Sequence, residues 1–195
     1  MQQAAKSISR KKQIELKATE LFWQKGYTAS SMRDLANLLG IEAASIYSHI
    51  KSKEEILQTV CFRMANEFFD AIDEIKKNSY DTEEENLKKS ILAHLSVITK
   101  DKKASSVFFN EWRHLSEPHL TRFTNMRKTY EQWFNSILER GVKNGEFKLM
   151  NTKLSVMSIL SALNWSYRWY DPQGKYDTEE VAENFSHILL NGLKS

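Results

Sequence analysis

Residues 30–53 read SSMRDLANLLGIEAASIYSHIKSK, and no other stretch limits the fold as strongly. With a first helix opening at Met32, the apolar residues Leu35, Leu39, Ile41 and Ile46 face one interior, so two short amphipathic helices are expected. Leu39-Gly40-Ile41 forms the turn between them. Gly40 falls where the chain must leave the first helix through a positive φ, which a residue without Cβ adopts without a clash. Ala36 sits at the crossing, where a larger side chain would push the helices apart. A small residue, a glycine turn and a second helix make the helix-turn-helix pattern. On spacing alone, any small helical bundle can carry the same residues.

The context is more particular than the spacing. Gly40-Ile41, then Ile46-Tyr47-Ser48-His49-Ile50, then Ser52-Lys53-Glu54-Glu55-Ile56-Leu57 resembles the DNA-binding domain of TetR-family transcription regulators. That family usually reads G-[VI]-x-x-x-x-[LI]-Y-x-H-F-x-x-K-x-x-L here. The resemblance is close over about the first 60 residues and extends further only in length and helical character. Two departures stand out. Glu42 occupies the place of the usual Ser or Thr N-cap, and Ile50 replaces a Phe while still suiting a core site.

Charge is distributed to match. Residues 1–53 hold nine Lys or Arg against four Asp or Glu, whereas the rest of the 195-residue chain holds 19 against 21. A basic head on a mildly acidic body suits a polyanion at one end only. Only two prolines and six glycines interrupt the chain, and alternating β-type runs are scarce, so the fold class expected is all-α with about nine helices. No apolar run approaches the length of a membrane span, and residues 1–17 lack the apolar core of a secretory signal. Cys61 is the single cysteine, so a reducing cytoplasmic setting is expected.

Taken in order, residues 1–7 read as a disordered arm, and Ile14, Ala18, Leu21 and Phe22 mark a first helix from about Ile8 to Lys25. Ser30 or Ser31 caps the next helix. A long fourth helix runs from Ser52 to about Lys77, joining head to body. Residues 78–82 read as a loop before a helix capped by Asp81 or Thr82, and Lys100 to Lys103 reads as a charged break. A short helix stops near Pro118, a long one spans about Leu120 to Lys143, and Thr152–Tyr170 and Thr178–Leu193 read as the last two. Residues 1–50 are thus expected to form the DNA-binding domain and 51–195 a ligand-binding and dimerisation domain.

The residues offer little chemistry for catalysis or metal. His114 and His119 bracket Glu117, but Pro118 breaks the helix, and no i, i+4 histidine pair shares a face. Cys61 has Arg63 as its nearest cation in sequence, on another helix face, so an activated thiol is not expected. Glu83-Glu84-Glu85 and Glu179-Glu180 sit at helix starts, where carboxylates complement the macrodipole. No metal, cofactor or enzymatic role is therefore expected.

At the DNA, Lys51 or Lys53 is expected to meet a phosphate, Tyr47 another, and Ser30 or Ser31 a third from the start of the second helix. Base contacts are expected from Ala43, Ala44, Ser45 and Ser48, with Arg33 or His49 as further candidates. No Arg, Asn or Gln lies in the recognition helix, so methyl contacts and DNA shape must carry specificity.

Beyond the head, aromatic residues are frequent. Phe108, Trp112, Tyr130, Phe134 and Trp165 are candidates to line an apolar cavity, although a helical bundle also needs such residues simply as core. The stretch Trp165-Ser166-Tyr167-Arg168-Trp169-Tyr170-Asp171-Pro172-Gln173-Gly174 is similar to the C-terminal part of a TetR subgroup controlling fatty-acid, sterol and aromatic-acid breakdown. That resemblance implies a small hydrophobic or acyl-CoA ligand, with cations at the cavity mouth. Arg113, Arg122, Arg127, Lys128 and Arg168 are the candidates. The family resemblance also implies a homodimer through the last two helices. Leu154, Leu163, Val181, Phe185, Ile188 and Leu189 are its expected interface, and a palindromic double-stranded operator its partner. The function expected is a ligand-released repressor of a catabolic operon. The alternatives are a helical enzyme acting on a small molecule and a ligand-independent nucleoid or division factor.

Overall fold

Helix boundaries follow the capping chemistry. In the computed structural model, which describes residues 9–77 and 81–193, Ser9 Oγ accepts from the Lys12 N–H and opens α1 (Arg10–Lys25). Ser31 and Asp34 form a reciprocal capping box on α2 (Met32–Leu39), and Thr82 with Glu85 does the same on α5 (Glu83–Lys100). Ser52 caps α4 (Lys53–Lys76), Asp101 caps α6 (Lys102–Glu111) and Asn151 caps α8 (Thr152–Asn164) through their side-chain oxygens. Glu42 makes no such bond at the start of α3 (Ala43–Tyr47), as expected of a poor cap. The remaining elements are a 3-10 turn (Trp112–His114), α7 (His119–Lys143), α9 (Ser166–Trp169) and α10 (Thr178–Leu193), with no β-strand among the described residues.

Gly40 ends α2 at φ 62°, ψ 38°, with open space where a Cβ would stand. The requirement there is backbone conformation and not room. The chain then turns so that Ile46 and Ile50, both nearly fully buried, join Ile14, Leu21, Phe22, Leu35 and Ala36 in the head core. α4 continues that core without a break. Ile56 and Leu57 belong to the head end, and Met64, Phe68 and Ile72 lie among Leu87, Ile91, Phe108 and Phe134 of the body. A displacement of α4 is thereby felt at both ends. α5 packs along both α4 and α10, and α6 packs on α1 and α4.

Two boundaries differ from the sequence expectation. The charged run Lys100–Lys103 is a one-residue junction, because Asp101 closes α5 and at once caps α6 through the Ala104 N–H. The single helix expected over 152–170 is broken at Trp165 into α8 and α9. The Trp165 ring is 55% exposed while Ser166 and Tyr170, four residues apart, turn inward together. α4 ends at Lys76, and the loop expectation over residues 78–80 lies outside the described residues, as does that for the arm at 1–7.

Past α7, Phe147 lies against bare backbone. A Cβ added at Gly141 would stand 2.2 Å from Phe147 Cδ2, so this glycine is required by close approach.

Candidate DNA-binding face and internal cavity

α3 is held from beneath by Ile46 and Ile50, which leaves its outer side free. Ala44, Ser45, Tyr47, Ser48 and His49 are exposed and Ala43 is half-buried, with Tyr47 53% exposed. The Ser48 hydroxyl donates to the Ser45 carbonyl at 2.8 Å, closing the end of this short helix. Arg33 and Lys51 are also exposed beside it. The candidate base-reading residues, with Tyr47 and Lys51, are therefore open to a partner.

Two of the expected phosphate contacts are placed elsewhere. Ser30 is buried, and its hydroxyl donates to the Gly26 carbonyl at 2.7 Å, leaving Ser31 as the exposed member of that pair. Ser31 in turn gives both its N–H and its hydroxyl to Asp34, at 2.9 and 2.6 Å. Those bonds hold the Asp34 carboxyl below its ordinary range, with Lys25 3.6 Å away. Lys53 is the second. Its ammonium donates to the carbonyls of Tyr27 (2.8 Å) and Ser30 (2.7 Å) and lies 4.2 Å from the centre of the Tyr27 ring. It pins the start of α4 to the α1–α2 connection, and Lys51 is the lysine left facing outward.

In the body, Phe68, Phe69, Phe108, Phe109, Met126, Tyr130 and Leu160 line a half-open cavity of about 50 Å³ between α4, α5, α6, α7 and α8. That is room for a few waters, so a larger guest needs the walls to part. Phe108 and Tyr130 line it as expected. Phe134 stands behind Tyr130 as fully buried core. Trp112 packs on Phe123 outside the cavity wall, and Trp165 and Arg168 lie on the surface, stacked on each other at 4.5 Å.

Polar groups at the cavity are few. Arg127 lines it with Glu131, and burial holds the Arg127 guanidinium below its ordinary pKa. The guanidinium carbons of Arg127 and Arg113 lie 4.8 and 4.6 Å from the Trp112 ring centre. His94, which the sequence reading missed, is fully buried. Its Nδ1 lies 3.0 Å from Tyr130 Oη and its Nε2 3.0 Å from Asn164 Oδ1. Burial lowers its pKa to about 4, so the ring is neutral at pH 7. The only signal was its place on the apolar stripe of α5, between Ile91 and Ile98, where a polar residue needs partners. Burial likewise pushes the Cys61 thiol up to about 12.

The 3-10 turn bridges cavity and head. Trp112, beside Arg127, begins it, and His114 ends it stacked on Tyr27, with Nε2 3.4 Å from Thr28 Oγ1. Just beyond, Ser116 gives its N–H and hydroxyl to the two oxygens of Glu54, both at 2.9 Å. These bonds keep the Glu54 carboxyl below its ordinary pKa.

On α8 and α10 the expected interface residues divide. Leu163 and Val181 are buried within the protomer and face its core. Leu154 and Ile188 are 60% and 64% exposed, and Phe185 and Leu189 are half-buried. Met157, Trp165 and Trp169 extend this exposed apolar surface. No helix among the described residues is long and apolar enough to cross a membrane.

Residues 16–60 match the family described as bacterial regulatory proteins, tetR family, and residues 80–193 match the tetracyclin repressor-like C-terminal domain. The HTH-type transcriptional repressor KstR2 of Rhodococcus jostii (strain RHA1) is 26% identical over 194 residues, spanning 98% of this chain and 94% of its own. The ketosteroid transcriptional regulator KstR2 of Mycobacterium tuberculosis has the same fold, with a TM-score of 0.90 at 24% identity over 98% of both chains. AibR, solved in complex with isovaleryl coenzyme A and operator DNA, gives a TM-score of 0.81 at 20% identity, covering 93% of this chain and 98% of its own.

Proposed function

The chain belongs to the TetR family of bacterial regulatory proteins and is a DNA-binding transcriptional regulator, and on that premise we propose a dimeric repressor released from its operator by an acyl-coenzyme A or similar hydrophobic ligand. Residues 1–50 act as the DNA-binding unit and 51–195 as the ligand-binding and dimerising unit. Lys51, Tyr47 and Ser31 take phosphates, and the exposed side of α3 enters the major groove. The heads of a dimer read half-sites about one turn (~34–36 Å) apart, so a small tilt of α4 removes one head from its groove.

The observation that carries this reading is the 3-10 turn, which touches the cavity cation Arg127 through Trp112 and the head through His114, with Ser116 just beyond it bonded to Glu54 at the start of α4. A guest parting α6 from α7 would move that turn, and α4 and the α1–α2 connection with it. The apolar walls suit an acyl body, and the two guanidinium groups on Trp112 suit the phosphates of coenzyme A. A neighbour of the same fold was solved with an acyl-coenzyme A and operator DNA, which supports the ligand class without assigning this one.

The test is to titrate the operator complex with long-chain and aryl acyl-coenzyme A thioesters, the free acids and coenzyme A alone. Release by the thioesters only is the expected result. Release by the free acids but not the thioesters would sink the ligand class.

A further inference from the structure

Besides its apolar walls and the charged Arg127 and Glu131, the cavity is lined by three polar side chains that meet from three helices. His94 comes from α5, Tyr130 from α7 and Asn164 from the last position of α8. A neutral imidazole has one donor and one acceptor. With Asn164 Oδ1 facing Nε2 at 3.0 Å, the proton must be on Nε2 and donate to that oxygen. Nδ1 then accepts from the Tyr130 hydroxyl, also at 3.0 Å. The chain of bonds runs Tyr130 to His94 to Asn164, and both imidazole nitrogens are used.

This arrangement determines what remains for a guest. The amide oxygen of Asn164 is engaged, so its amide nitrogen is the donor left over, and it has no hydrogen-bond partner among the described residues. His94 is wedged against Phe68, with ring centroids 4.8 Å apart, and edge-on to Phe134 at 6.3 Å, so its two nitrogens stay aimed at Tyr130 and Asn164. A satisfied core histidine would need only its two partners. Here one of those partners lines the cavity and holds an unused donor, on walls that are otherwise apolar apart from Arg127 and Glu131.

We infer that the Tyr130–His94–Asn164 chain fixes the Asn164 amide as a reader of one neutral, hydrogen-bond-accepting oxygen on the otherwise apolar part of the ligand. Asn164 is the contact, and His94 and Tyr130 are positioning residues. This rests on the proposed function and narrows it. Among apolar guests of equal size, the one carrying a ketone-type oxygen is preferred, because a guest without it covers the half-buried amide and leaves its N–H unpaired. Asn164 also closes α8, immediately before the exposed Trp165, so the same contact reaches the helix proposed to form the dimer.

The experiment compares octanoyl-coenzyme A with its derivative bearing a ketone at the penultimate carbon. Binding is read by calorimetry on the full-length protein without DNA, and release by operator titration. Wild type should bind the oxo derivative about tenfold more tightly, the size of one well-made buried hydrogen bond. Asn164→Leu, which keeps the bulk and removes the amide, should bind the two alike while still binding octanoyl-coenzyme A. Asn164→Ser, which keeps a small polar residue at the end of α8, gives the same comparison if the leucine variant does not fold. Equal binding of the two thioesters by wild type, or a preference that survives in both variants, overturns the inference and leaves the ligand class standing. Binding of neither thioester overturns both.

Discussion

His114 stacks on Tyr27 with ring centroids 5.2 Å apart and planes inclined by 25°. The pair joins residues 87 positions apart in sequence, one at the end of the turn beside the cavity and one between α1 and α2. Tyr27 is also the ring over which Lys53 lies. A contact of this kind contributes about 0.5–1.5 kcal/mol beyond simple burial, enough to bias a head position without dominating the fold.

His114→Ala is therefore expected to uncouple the two ends more than it weakens either. Operator affinity without ligand should stay within about threefold, since 0.5 kcal/mol is a factor of about two. The ligand concentration needed for release should rise about tenfold. Fluorescence anisotropy on labelled operator reads both numbers, and a variant that loses operator affinity but keeps its ligand response would place the link elsewhere.

The two lysines at the start of α4 are expected to behave differently. Lys51→Ala should weaken binding to every sequence alike and lower the salt slope by about 1. Lys53→Ala removes the donor to two carbonyls, so it should lower the melting temperature and leave the slope unchanged. Equal slopes for Lys51→Ala and wild type would show that its exposed ammonium meets no phosphate.

Ile188→Glu is the cleanest test of the dimer, because Ile188 is 64% exposed and its loss costs the protomer little packing. Leu189 is half-buried, so a charge there confounds folding with association. Sedimentation should find Ile188→Glu monomeric, with weak binding to a palindromic operator. A dimer of unchanged affinity would place the interface away from this part of α10.

Stability should fall between pH 7 and pH 5 through His94. Its folded pKa lies at about 4, below the ordinary 6.5, so across that window the unfolded chain binds more protons than the folded one. The contribution is complete above about 6.5, lost progressively as pH falls, and gone below about 4. The change from pH 7 to pH 5 should be about 2 kcal/mol. Urea unfolding at one protein concentration measures it, and a His94→Gln variant with the same pH slope would assign the loss to other groups.

The head was legible in the sequence because its determinants are local. Gly40 answers a backbone requirement, Ser31 and Asp34 cap within one turn, and Ile46 marks the buried side of α3 by spacing, with Ile50 just past it in the place of the family's Phe. The all-α class and the long α4 follow from periodicity and scarce punctuation in the same way. What the tertiary structure decided depends on partners distant in the chain. The Lys53 side chain could serve a phosphate or two carbonyls, and only the fold brings the carbonyls of Tyr27 and Ser30 within 2.8 Å. Leu163 and Val181 are as apolar as Leu154 and Ile188, but which side of α8 and α10 meets the core is set by α7 and α5. Trp165 and Arg168 lie off the cavity because they share the face of their segment opposite the buried Ser166 and Tyr170, and His94 lines it with Tyr130 and Asn164, which arrive from 36 and 70 residues away. Periodicity reports that a side chain is buried, but the identity of its neighbours is a property of the packed helices.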